Sequence, residues 1–175
     1  IIFLLAPITS SAEIGSKKWT YECDKKNKKV CVIAINLLAS APNSDKKQTL
    51  VTAVIQQGST TKREMALIDG EEKTYKLKEK KKFVDVLSVR LPLNVDLKKK
   101  PLLQIDKKDV LNITYSHCNQ IAGCVTSAVI NNEVVKLFKS GKELTVIMSI
   151  YGKEDNLSVS LPLKGFSKAY DNFSK

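Results

Sequence analysis

Four cysteines fall into two close pairs, Cys23 with Cys31 and Cys118 with Cys124, and each pair brackets a polar stretch that can turn. A bridge over so short a loop makes the chain double back, so each pair marks a hairpin or loop end. Four cysteines allow three connectivities, and pairing between sequence neighbours is the expected one. Gly123, directly before Cys124, supplies the freedom for a positive-φ bend that a tight bridged loop needs. In the chain-entropy model, loops this short contribute about 2 to 3 kcal/mol each, less any strain. A four-cysteine zinc site is the rival reading. It fits poorly, because these spacings exceed the two-to-four-residue gaps usual for such sites.

Disulfides presuppose export, and the start of the chain points that way. Ile1 to Ile8 is apolar, and Thr9, Ser10, Ser11 and Ala12 place small residues at minus three and minus one of a cut before Glu13. Residues 1–12 therefore read as the remnant of a signal peptide whose charged beginning lies outside this sequence, and 13–175 as a single domain. A first core strand is the alternative. Eight residues cannot span about 30 Å of hydrocarbon, and no later run is longer, so no transmembrane segment is expected in the mature chain.

Short β-rich runs set the fold class. Val30 to Ala39 and Gln48 to Gln57 flank the turn-rich Pro42-Asn43-Ser44-Asp45 and read as an antiparallel pair. Glu64 to Ile68 reads as a further short strand, and Glu71 to Lys82, with six Lys and three Glu, as a solvated loop or strand rim. Phe83 to Leu93 and Val110 to Tyr115 resume the strand pattern. Glu143 to Tyr151 reads as a buried strand, with Val159, Leu161 and Leu163 alternating along its partner. Asn131 or Asn132 can cap a short helix carrying Val134, Val135 and Phe138, which Gly141 stops. Phe166, Ala169, Tyr170 and Phe173 lie on one face of a terminal helix. Seven to nine short strands with frequent turns predict a mainly β fold, an antiparallel β-sandwich with one or two short helices. Trp19, the single tryptophan, reads as a core filler.

The order of these motifs resembles the invasion-associated locus B family of exported bacterial proteins. The resemblance rests on Cys118 and Gly123-Cys124, the Val134 to Leu137 helix, Lys139-Ser140-Gly141-Lys142 and Ser160-Leu161-Pro162-Leu163-Lys164-Gly165-Phe166. Upstream it is carried by Trp19-Thr20-Tyr21-Glu22-Cys23 with Cys31, by Leu91 to Leu97 and by Leu103 to Asp106. It covers nearly the whole mature chain and implies an immunoglobulin-like version of the sandwich. Two positions depart from the family pattern. Asn94 stands where the family has Gly, and because Asn is the non-glycine residue that best tolerates left-handed geometry, the turn there is expected to survive. Pro162 interrupts the closing motif, so its strand should lie at an edge or end there.

Chemistry is sparse. His117 is the single histidine and reads as a partly exposed loop residue. No Gly-x-Ser-x-Gly elbow, phosphate-cradling glycine loop or histidine pair accompanies it, and an oxidised Cys118 cannot be a nucleophile. Neither an enzyme activity nor a cofactor or metal is expected. The formal charge of +11 comes from 27 Lys against only Arg63 and Arg90, a balance unlike the Arg forks of nucleic-acid recognition, so no specific nucleic-acid partner is expected. Lysine used for solvation on turns accounts for most of that charge. A polyanion such as lipopolysaccharide, acidic glycan or anionic lipid is the alternative it leaves open. Asn112-Ile113-Thr114 and Asn156-Leu157-Ser158 match glycosylation acceptors by coincidence in a bacterial export product.

The functional expectation is an exported, non-enzymatic interaction protein of the envelope, periplasmic, secreted or outer-membrane-associated, and the resemblance implies a link to host-cell invasion. A periplasmic housekeeping or chaperone-like module is the alternative. Its partner would be a protein or a polyanion of the envelope or host surface. Lys76, Lys78, Lys80, Lys81 and Lys82 are the candidate contact patch, and Cys23, Cys31, Cys118 and Cys124 the structural residues. Reduction with a thiol is expected to lower the melting temperature by at least about 5 °C. An unchanged melting curve after complete reduction would mean that the bridges are immaterial.

Overall fold

The computed structural model describes residues 18–26, 30–40, 47–68 and 74–174. The signal-peptide remnant at residues 1–12 lies outside them. Two antiparallel sheets enclose one core, and together with two helices they make a β-sandwich. The larger sheet holds β1 (Thr20–Cys23), β2 (Cys31–Ser40), β3 (Lys47–Ile68), β4 (Thr74–Leu91), β7 (Thr114–Asn119) and β8 (Gly123–Ile130), in the order β1-β2-β3-β4-β8-β7. The smaller holds β5 (Leu102–Ile105), β6 (Lys108–Asn112), β9 (Glu143–Ser149) and β10 (Asn156–Pro162), in the order β10-β9-β5-β6. Helix α1 spans Asn132–Ser140 and α2 spans Phe166–Phe173.

Period-two alternation decides which side of each strand is dry. Ile33, Ile35 and Leu37 of β2, Val51, Ala53 and Ile55 of β3, and Leu87, Val89 and Leu91 of β4 are buried. They share the core with Leu103 and Ile105 of β5, Leu144, Val146 and Met148 of β9, and Val159 and Leu161 of β10. The residues between them are half-buried or exposed.

Val110 to Tyr115 is not one strand. Its first part belongs to β6 in the small sheet and its last to β7 in the large one, with Ile113 at the crossing. Ile113 is fully buried and its N–H donates to the Pro101 carbonyl, so the backbone leaves one ladder without losing its bond. The β5–β6 turn is made by Asp106 and Lys107, both at positive φ. The Asp106 carboxylate accepts the backbone N–H groups of Lys142 and Glu143 at 3.1 Å each, which fastens that turn to the start of β9. Asn94, by contrast, is not at positive φ, since Asp106 and Lys107 are the only non-glycine residues with that geometry among those described. Left-handed geometry is therefore absent at Asn94, but the turn expected there survives at Leu93 and Asn94. The Asn94 carbonyl accepts from Tyr151 in a bridge to the end of β9.

Asn131 caps α1, accepting from the Val134 N–H at 2.9 Å. Gly141 ends that helix in extended geometry. A Cβ there would come 2.5 Å from Ile105 Cγ2, so glycine is required by close packing. Gly123, at φ 72°, would place a Cβ 2.3 Å from the Leu91 carbonyl oxygen, so both its geometry and its space exclude a side chain. Pro162 is the last residue of β10, itself the edge of the small sheet.

The four apolar positions of α2 are all buried. Phe166 meets Trp19 edge-on at 5.2 Å between centroids and lies 5.0 Å from Phe138 of α1. The Trp19 indole N–H donates to the Pro162 carbonyl at 3.1 Å. Tyr170 donates its hydroxyl to Asp85 of β4. Burial, then that bond and the Asp85 charge, raise the Tyr170 pKa well above the usual 10.0. A phenol kept neutral in the fold stabilises fully below the unfolded value near 10, and that contribution is lost as pH climbs through it toward the native one. Tyr170→Phe is expected to cost about 1 to 3 kcal/mol in urea melts at pH 7. The deficit against wild type should shrink above pH of about 10. A constant deficit would mean that only packing was lost.

Candidate functional site

Strands β3 and β4 outrun their neighbours. β2 accompanies β3 only to the Val32–Gln56 pair, and β8 accompanies β4 only to Asp85–Ile130. Beyond that, 57–68 and 74–84 pair with each other alone among the described residues. At about 3.3 Å per residue this is a two-stranded arm roughly 35 Å long.

The arm corrects one reading and decides another. Glu64–Ile68 is not a separate strand but the far part of β3, and of the loop and strand-rim alternatives for the lysine-rich run, it is strand, part of β4, from Thr74 onward. Lys76, Lys78, Lys80, Lys81 and Lys82 stand opposite Ala66, Glu64, Lys62, Thr61 and Thr60. Positions 76, 78, 80 and 82 share the parity of Val84 and Val86, and position 81 shares that of Phe83, Asp85 and Leu87. The structure thus gathers the five lysines onto one strand of one ribbon. Lys82, at its base, is exposed. The arm carries seven basic residues against two acidic ones.

At the root of the arm the cover of the sandwich stops. Along one side of β4, Leu87 is fully buried, Asp85 is held by Tyr170, and Phe83 is 73 % exposed. Helix α2 ends there. Phe83, Tyr21, Val30, Gln57 and Phe173 border a groove of about 860 Å³ that no charged residue lines among those described. Phe83 was missed as a surface residue because its parity is that of the core. The available signal was that the lysines before it offer no apolar neighbour for it to pack on.

Both cysteine pairs are bridged as expected. Cys23–Cys31 joins directly opposed residues of β1 and β2, and Cys118–Cys124 joins opposed residues of β7 and β8. The Tyr21 hydroxyl lies 3.0 Å from the Cys23 sulfur and 3.3 Å from that of Cys31. A disulfide has no S–H, so the tyrosine is the donor. The bridge therefore sits against the groove, where Cys31 contributes to the lining.

His117 is exposed but lies on β7, not in a loop. The Ser116 hydroxyl is 3.2 Å from its Nδ1 and donates to the Val125 carbonyl at 3.0 Å. Tyr115, on the same strand, has its pKa raised by burial and then by Asp96. Among the described residues no group of three or more His, Cys, Asp or Glu is placed to hold a metal, and no helix is long and apolar enough to cross a membrane.

The model of the invasion associated locus B (IalB) protein family matches residues 19–174. The chain belongs to the IalB family. The match begins at Trp19, the tryptophan of the aromatic contacts, and takes in both sheets, both helices and both disulfides. Among solved structures, that of invasion associated protein B from Bartonella henselae superposes with a TM-score of 0.63 at 19 % identity, over 89 % of this chain and 91 % of that one. This likeness carries the sandwich fold. No curated protein is similar to the chain. By family, then, this is an invasion-associated type of protein, and its two disulfides belong to an oxidising compartment.

Replacing Lys76, Lys78, Lys80, Lys81 and Lys82 together by Ser is expected to move the melting temperature by less than about 5 °C, because solvated charges each contribute within about 0.5 kcal/mol. Retention on a heparin column should fall to lower salt. A collapse of the melting curve would show the lysines to be packed.

Proposed function

We propose that this IalB-family chain is an exported, non-enzymatic interaction protein of the bacterial envelope, of the type associated with host-cell invasion, and that the β3–β4 arm is its contact element. The observation that carries the reading is the arm itself. A two-stranded ribbon is marginally stable alone, and this one continues past the last third strand with basic residues along it. A fold that needed only stability would have no use for so long an extension. The groove at its root adds a partly aromatic surface, uncharged among the described residues, beside the lysines, the pairing of apolar anchor and charged rim found in protein interfaces.

A non-enzymatic role is supported by the surroundings of the histidine. The one serine hydroxyl beside His117 gives its hydrogen to a backbone carbonyl, so it is not set up to surrender it to the imidazole. Export is supported by the bridges and by the family.

Replacing residues 61–81 by an Asn-Gly turn closes the hairpin at the Thr60–Lys82 pair and tests the arm directly. The shortened protein is expected to melt within about 5 °C of the parent and to lose at least about tenfold in affinity for host cells or extracted host membranes, a change of about 1.4 kcal/mol. Undiminished binding would remove the arm from the interface. Protease shaving of intact and of permeabilised cells locates the protein. Digestion only after permeabilisation would turn the search to periplasmic partners and to a housekeeping role.

A further inference from the structure

The outer face of the large sheet, opposite the core, holds a second arrangement. Register places Asn36, Thr52, Arg90, Val125 and His117 in one continuous row across β2, β3, β4, β8 and β7. Arg90 has the opposite parity to buried Val89 and Leu91, so the row lies on the wet side. Arg90 and His117 stand two strands apart, about 10 Å between backbones, with only Val125 between them.

Two adjoining hollows of about 320 and 570 Å³ open on this face and share Arg90 and Ala122. Ser88, Ser116, Ser127 and Gln56 line the first, and Asn36 and Thr52 the second. Among the described residues no acidic residue and no lysine lines either. In a chain with 27 Lys and two Arg, the one permanent cation here among the described residues is therefore an arginine. Among the described residues nothing engages its guanidinium in an ion pair or hydrogen bond.

The histidine has a defined orientation. Because the Ser116 hydroxyl hydrogen goes to the Val125 carbonyl, its contact with Nδ1 makes that nitrogen the donor. Nε2 is then left to bind, as an acceptor when the ring is neutral and as a second donor when it is charged.

We propose that this face binds an acidic sugar. The guanidinium fork takes the carboxylate in two parallel bonds, which a lysine could not do. The surrounding hydroxyls and amides, more numerous than a bare anion can use, take the ring hydroxyls, with His117 Nε2 at the edge. A single cation with no aromatic neighbour does not suit a nucleic-acid strand, and the lysine arm plays no part in this site.

The test is an amide chemical-shift titration of the full chain with glucuronate, with glucose and inorganic sulfate as controls. Saturable shifts at Ser88, Arg90, Ser116 and Val125 with glucuronate, at least about tenfold weaker in Arg90→Gln and with both controls, are expected. Arg90 is exposed, so that variant should melt within about 2 °C of wild type. Shifts confined to the arm or to the lysine-rich turns would overturn the proposal, as would equal binding by Arg90→Gln. Sulfate binding as tight as glucuronate would overturn the sugar assignment. The mapping on wild-type protein decides the location even if the variant fails to fold.

Discussion

The ring contact between Trp19 and Phe166 is the joint on which the sandwich closes. Trp19 enters just before β1, at the edge of the large sheet, and Phe166 opens the helix that follows β10, at the edge of the small one. Phe138 of α1 touches both rings, and Tyr170 and Phe173 extend the stack along α2. Aromatic faces and edges prefer such tilted arrangements, so the contact sets angles as well as burying surface. Two polar bonds fix its depth, with the indole donating to Pro162 and the Trp19 N–H to Lys164. An eight-residue helix is not stable alone in water. Helix α2 exists because this cluster receives its apolar face.

The same cluster decides where the described cover of the large sheet ends. Among the described residues, cover over β4 reaches Asp85 through Tyr170 and goes no further, so Phe83 emerges and the hairpin continues without a second layer. Among the described residues such a ribbon has two unpaired edges, each a template for unwanted pairing with another copy. Positive charge along it opposes that pairing. The lysines thus solve a physical problem of the arm, while leaving it able to meet a partner of opposite charge.

What proved legible was local. The cysteine pairs, the Asn131 cap, the apolar face of α2 and the β9–β10 pair each depend on residues close in sequence, and all appear as read. Pro162 marked a strand end at an edge because a missing N–H has the same meaning in any fold. Where the reading went astray or left alternatives open, the deciding partner was remote. Val110 to Tyr115 looks like one strand, but Ile113 crosses between sheets because Pro101 offers its carbonyl there. The lysine run reads as either loop or strand rim because charge hides a period of two, and only pairing with β3 decides for strand. At Asn94 the expected turn forms, but without left-handed geometry, and its carbonyl accepts from the distant Tyr151.

Sequence alone therefore determined the sandwich class, the two bridges, the helices and the family, because alternation, caps and short loops act over a few residues and repeat their signals. Tertiary structure decided which strands run past their neighbours, where the core's cover ends, and that Arg90 and His117 share a row. These depend on register between strands far apart in sequence, and register is settled by the joint packing of both sheets.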